Sequence, residues 1–154
     1  MAKELTLKRT FDAPIELVFK AWTDPALMAK WWGPNEFTTP ICELDVRPGG
    51  KLLVVMHGPK NTDFDLDFPM TGTYQEVVPP TRLVFTAEAV QDEKGDPQLV
   101  TLDTVTFKDV GSKTEMTLHI VVVKSTPVSA GALAGMEMGW SQSLDKLAKL
   151  QIKL

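Results

Sequence analysis

The sequence predicts an α+β fold in which a seven-stranded antiparallel sheet curls around one long C-terminal helix. The helix is read from residues 126–154, where Leu133, Met136, Trp140, Leu144, Leu147 and Gln151 recur at three- and four-residue steps. That spacing draws one apolar stripe, with Asp145, Lys146, Lys149 and Lys153 opposite it. The sheet is read from residues 37–123, where the apolar period is two and short turn signals separate each run from the next. Strands joined by short turns pair with their neighbours, and a sheet so formed can cover the stripe that one helix cannot hide.

Taken in order, residues 3–10 alternate, with Leu5, Leu7 and Arg9 on one side, and predict a half-buried first strand. Asp12 is placed to cap a short helix that runs to Trp22 and buries Leu17, Val18, Ala21 and Trp22. A second short helix spans 25–30 and ends at the Trp31-Trp32-Gly33-Pro34 corner. Strands follow at 37–46, 51–57, 70–78, 82–90, 99–107 and 114–123. Arg47-Pro48-Gly49-Gly50 forms the first tight turn, and the polar loop 58–67 carries Asp63, Asp65 and Asp67. The run 51–57 is apolar on both faces, so periodicity does not orient it; the inward face of 71–78 is equally open. In the last strand Met116, Leu118, Ile120 and Val122 alternate with polar residues. The final helix starts at Thr126 with Pro127 in its first turn.

The 154 residues form one domain by this reading, with no repeat or linker, and 44% hydrophobic content suffices for a packed core. A net charge of −4 argues against nucleic acid as a partner. No apolar run reaches the length of a membrane span, and the N-terminus lacks a signal-peptide core, so the cytoplasm is the expected location. Cys42 is the one cysteine and His57 and His119 the two histidines, which leaves too few ligands for a dedicated zinc site. No phosphate-loop or dinucleotide glycine motif occurs, and no cofactor or metal is expected.

Six separated stretches then carry a resemblance. They are Phe11-Asp12-Ala13-Pro14 through Ala21-Trp22, Trp31-Trp32-Gly33-Pro34, Asp45-Val46-Arg47-Pro48-Gly49-Gly50, Gly72-Thr73-Tyr74-Gln75-Glu76-Val77, Pro80-Thr81-Arg82-Leu83-Val84-Phe85, and Gly139-Trp140 with Leu144 and Leu147. In order and spacing the chain resembles the activator of Hsp90 ATPase homologue 1-like domain, a member of the START/Bet v 1-like superfamily. The resemblance implies the helix-grip fold and a cavity between the curled sheet and the last helix. It implies lipid carriage, binding of small apolar molecules, or cyclase-type chemistry as the range of superfamily functions.

The cavity so implied is expected to be lined from the sheet by Phe37, Val54, Met56, Tyr74 and Phe85, and further along by Phe107, Met116 and Leu118. From the helices it receives Trp32, Leu133, Met136, Glu137 and Trp140. Aromatics there suit a flat apolar ligand, although they equally suit a core. Glu137, beside Trp140, is a candidate acid or ligand anchor if it turns inward, and an ordinary surface glutamate if it does not. Gly131, Gly135 and Gly139 stand four apart and cost the helix about 1 kcal/mol each relative to alanine. They indicate close packing on a strand, a mobile half bordering the cavity, or a face covered by the partner in a homodimer. Asp45 and Arg47 read as a structural ion pair, and His119 as a surface residue.

Three functions compete. The leading expectation is a binding module for a small hydrophobic molecule, not an enzyme. A cyclase or hydrolase acting on an aromatic or polyketide-like substrate is the second, weakened by the lack of a convergent acid, base and nucleophile. A co-chaperone-like interaction domain is the third, and the chain has no room for a second anchoring domain.

Overall fold

The computed structural model describes residues 3–150. Its elements are β1 (Glu4–Phe11), α1 (Ile15–Thr23), α2 (Pro25–Trp31), β2 (Thr38–Leu44), β3 (Lys51–His57), β4 (Asp67–Val78), β5 (Arg82–Gln91), β6 (Pro97–Asp109) and β7 (Thr114–Ser125), then a 3-10 turn (Pro127–Ser129) and α3 (Ala130–Lys149). All seven strands form one antiparallel sheet in the order β1-β7-β6-β5-β4-β3-β2. The α+β expectation holds, with two short helices between the first two strands and a long helix last.

Register decides the faces that periodicity left open. Leu52 lies opposite Gly72 and Val54 opposite Met70, and Leu52 and Val54, unlike the equally buried Val55, belong to the core cluster under the helices. The inward face of β3 is therefore Leu52, Val54 and Met56, and that of β4 includes Met70, Gly72 and Tyr74. A side chain at Gly72 would collide with the Thr86 carbonyl, so glycine is required where β4 and β5 approach. Inward residues of β7 are buried as expected, Met116, Leu118 and Ile120 at 0–1% exposure. Asp45 and Arg47 do pair, Nε to carboxylate at 2.9 Å, beside the turn that Gly49 takes at φ +84°.

Several expectations are corrected. Asp12 is exposed and caps nothing; Pro14 is the N-cap of α1 and offers no side-chain hydrogen bond. The cap instead appears on α2, where the Asp24 carboxylate accepts from Ala26 N at 2.9 Å. The last helix is not continuous from Thr126. Thr126 and Ser129 form a capping box around a 3-10 turn, and α-helix begins at Ala130. Gln151, placed on the stripe, lies outside the described residues. The β5–β6 turn is tighter than read, because Pro97 already stands in β6, paired with Gln91.

Candidate functional site

α3 is held unequally along its length. Its second half is tied to two other segments. Arg9 of β1 donates to Asp145 Oδ1 at 2.6 Å and to Ser141 Oγ at 2.7 Å. At the tryptophan corner, Gly33 N donates to Ser143 Oγ at 3.0 Å and Asn35 N to Gln142 Oε1 at 3.0 Å. Leu144 and Leu147 are buried beneath these bonds. Among the described residues, no side-chain hydrogen bond joins positions 130–138 to the rest of the protein. The turn before them is fixed, by Thr126 Oγ1 to Gln98 Oε1 at 3.1 Å. The first half of α3 is thus pinned at both ends and loose between.

The glycines lie in this loose half. A methyl at Gly131 or Gly135 would meet nothing within 4 Å, and one at Gly139 would touch only Pro34 Cγ at 3.5 Å, an ordinary contact. Gly131 and Gly135 are exposed, so the glycine face neither packs on a strand nor borders a cavity. Helix stability of about 1 kcal/mol per glycine is given up here without any steric need.

Beneath α3 lies a cluster of rings. Trp22 is fully buried and stacks on Trp140 at 5.9 Å, while Trp32 meets Trp140 edge-on at 4.9 Å. Trp22 also contacts Trp31, Phe85 and Phe107. Trp31 is fixed by its Nε1 donating to Ala21 O at 3.0 Å, but Trp22 Nε1 is buried with no hydrogen-bond partner among the described residues. The space beside these rings is only about 10 Å³, room for a water at most, and it is bounded by Trp22 and Met28 from the helices, by Trp32 just after α2, and by β2–β5. A larger open groove of about 500 Å³ runs past Glu43, Leu53 and Thr71, on the side of the sheet facing away from the helices.

One charged side chain is buried on the helix-covered face. Asp103 of β6 is 1% exposed and stands between Phe85 and Ile120 on the neighbouring strands. Thr101 Oγ1 donates to its Oδ1 at 2.7 Å, its one hydrogen bond among the described residues. Burial pushes its carboxyl up to about 7, against the smaller opposing effect of that hydrogen bond. The adjoining row is made of small and medium side chains, Ala87, Thr101 and Val122.

A model of the activator of Hsp90 ATPase homolog 1-like protein family matches residues 12–151. The chain belongs to that family. A crystal structure of a Nitrosomonas europaea protein is 26% identical, covers 95% of this chain and 92% of its own, and superposes with a TM-score of 0.77. The solution structure of an Arthrobacter aurescens protein is 25% identical over 94% of this chain and 83% of its own, TM-score 0.79. A Silicibacter pomeroyi protein of the same family name, 24% identical over 96% of both chains with a TM-score of 0.76, shares the fold. No curated protein matches the chain.

Against this family frame the expected lining separates into groups. Trp32, Val54, Tyr74 and Phe85 do border the residual space. Phe107, Met116 and Leu118 are buried in the same core cluster without bordering that space, as Phe107 packs edge-on to Phe19 of α1. Phe37 and Met56 are half-buried, and Phe37 lies with Phe64 and Phe68 in a separate aromatic group. Met136 and Trp140 pack on the core while still part-exposed, whereas Leu133, also part-exposed, is outside that packing. Glu137 is exposed, so the inward carboxylate expected of α3 is instead the Asp103 of β6.

The remaining reactive groups are quiet. Burial, reinforced by the charge of Asp24, pushes the Cys42 thiol up to about 11, which leaves it un-ionised at neutral pH. His57 is bracketed by Asp67 and Asp65, each at 2.7 Å from a ring nitrogen, and His119 meets Glu4 at 3.1 Å. No group of three or more metal-binding side chains occurs among the described residues, and no described helix is long and apolar enough to cross a membrane.

Proposed function

We propose that this chain is a cytoplasmic binding protein for one small, mainly apolar molecule, held between the helix-covered face of the sheet and the first half of α3. The observation that carries the reading is the asymmetry of α3. Among the described residues, five side-chain hydrogen bonds anchor positions 141–145 and none anchors 130–138. With about 10 Å³ free, the interior must open to admit anything, and this half-helix can move without breaking a strand pair. Trp140, part-exposed and stacked on Trp22, is then the plug that a ligand displaces. The apolar walls favour binding over hydrolysis, and the fold family supports the same choice.

Titration with the neutral fluorophore N-phenyl-1-naphthylamine tests this. Saturable one-to-one binding accompanied by quenching of tryptophan emission is expected, because Trp22, Trp32 and Trp140 surround the site. Absence of saturable binding, or binding that leaves tryptophan emission unchanged, contradicts the reading.

A further inference from the structure

We propose that Asp103 is the counter-ion for a ligand amine, so that the bound molecule is an organic cation with an apolar, ring-compatible body. The inference rests on the binding site proposed above and assigns its chemical class. The site combines two features that serve an ammonium group together. One is a carboxyl that no cation among the described residues satisfies. Arg9, which shares the inward side of β1 with Leu5 and Leu7, is already engaged by Asp145 and Ser141. The other is an aromatic wall that begins on the neighbouring strand. Phe85, whose backbone is opposite Asp103, has its ring 6.5 Å from Trp22, and Trp22 stacks on Trp140. An ammonium beside such faces gains cation–π attraction, and its charge-assisted hydrogen bond to carboxylate is strongest where water is excluded.

The neighbours of Asp103 offer no competing charge. From β5 it faces Phe85 and Ala87, from β7 Ile120 and Val122, and along β6 Thr101 and Val105. Of the charged residues on the covering helices, Glu16 of α1, Lys30 of α2 and Glu137, Asp145 and Lys149 of α3 are exposed, and Lys20 of α1 and Lys146 of α3 are half-buried. None of them pairs with Asp103 among the described residues. In the empty protein burial holds the carboxyl largely protonated below about 7, so an amine that needs the ionised form binds better as pH rises through that value. The small side chains of the Ala87–Thr101–Val122 row leave room for the head group once α3 shifts.

Three probes of one shape separate the possibilities: 4-phenylbutylamine, 4-phenylbutan-1-ol and 4-phenylbutyrate. At about pH 8 the amine should bind at least about tenfold more tightly than the alcohol, with the carboxylate weakest. The advantage should shrink to about twofold or less near pH 5.5, where Asp103 holds its proton. In Asp103→Asn the amine should lose its advantage and bind no more tightly than the alcohol binds the same variant. Should that variant not fold, the pH series on the wild-type protein decides alone. Alcohol binding with no preference for the amine, or a preference that survives in Asp103→Asn, overturns the amine assignment while leaving the binding site standing. Failure of all three probes and of the neutral fluorophore removes the site itself, and the assignment with it.

Discussion

Trp22→Ala should lower the unfolding free energy by about 3–5 kcal/mol, the range for truncating a fully buried large aromatic. Trp22 is the hub of the interior, in ring contact with Trp31, Trp32, Phe85, Phe107 and Trp140, and it has no exposed surface. Removing it leaves a cavity that α1, held between β6 and α2, cannot collapse. Trp140→Ala should cost less, about 2–3 kcal/mol, because that ring is part-exposed and its loss is felt on one side only. The smaller change should also tighten binding of N-phenyl-1-naphthylamine, since the plug is gone. Urea unfolding of both variants checks the pair; a Trp22→Ala loss below about 1 kcal/mol contradicts its placement at the centre of the core.

Asp103→Asn should stabilise the empty protein at alkaline pH. The carboxyl titrates near 3.8 in the unfolded chain and near 7 when folded, so between those values the folded state holds the extra proton. Stability conferred by a raised carboxyl is present at low pH and lost as pH climbs towards 7, on the order of 4 kcal/mol in all. Asparagine removes that loss but leaves amide hydrogens without a partner, which reduces the gain to about 2–3 kcal/mol at pH 8. His57 shifts in the same sense: Asp67 and Asp65 raise it, and the stability it lends is lost as pH rises through its folded value. That contribution is common to wild type and variant and cancels in their difference. A wild-type-minus-variant difference that stays flat from pH 4 to pH 8 would falsify the burial of an unpaired carboxyl.

How far residues alone foretell this molecule differs between fold and site. The meander was legible because β7 and β1 alternate cleanly, and because Gly49, Gly50 and the proline-bearing turns punctuate the strands. Helix capping was less so: Asp12 and Asp24 both precede proline-containing starts, and only local backbone geometry chooses Asp24. β3 was unreadable because Leu52, Leu53, Val54, Val55 and Met56 are all apolar; pairing with β4 was needed to turn Leu52 and Val54 inward.

The site was the least legible part. The cavity lining expected from Phe107, Met116 and Leu118 is filled core, since density of packing is a property of the whole interior. Asp103 did leave a signal. In the run 99–107 one phase carries Leu99, Val105 and Phe107, and the period of two puts Thr101 and Asp103 on that same inward face. The opposite phase holds Val100 and Leu102, which blurs the choice, and an acid is by default assigned to solvent. Glu137 had the reverse problem. Its neighbour Met136 packs on the core, but one helical step of about 100° carries Glu137 round to the exposed side.

In the binding reading proposed above, α3 is fixed from Ser141 onward and opens before it. Amide hydrogen exchange along α3, with and without saturating N-phenyl-1-naphthylamine, tests that most directly. In the free protein, positions 131–139 should exchange at least about tenfold faster than positions 144–149, and the probe should slow the first group far more than the second. Uniform protection from 131 to 149 in the free protein, unchanged by the probe, would contradict it.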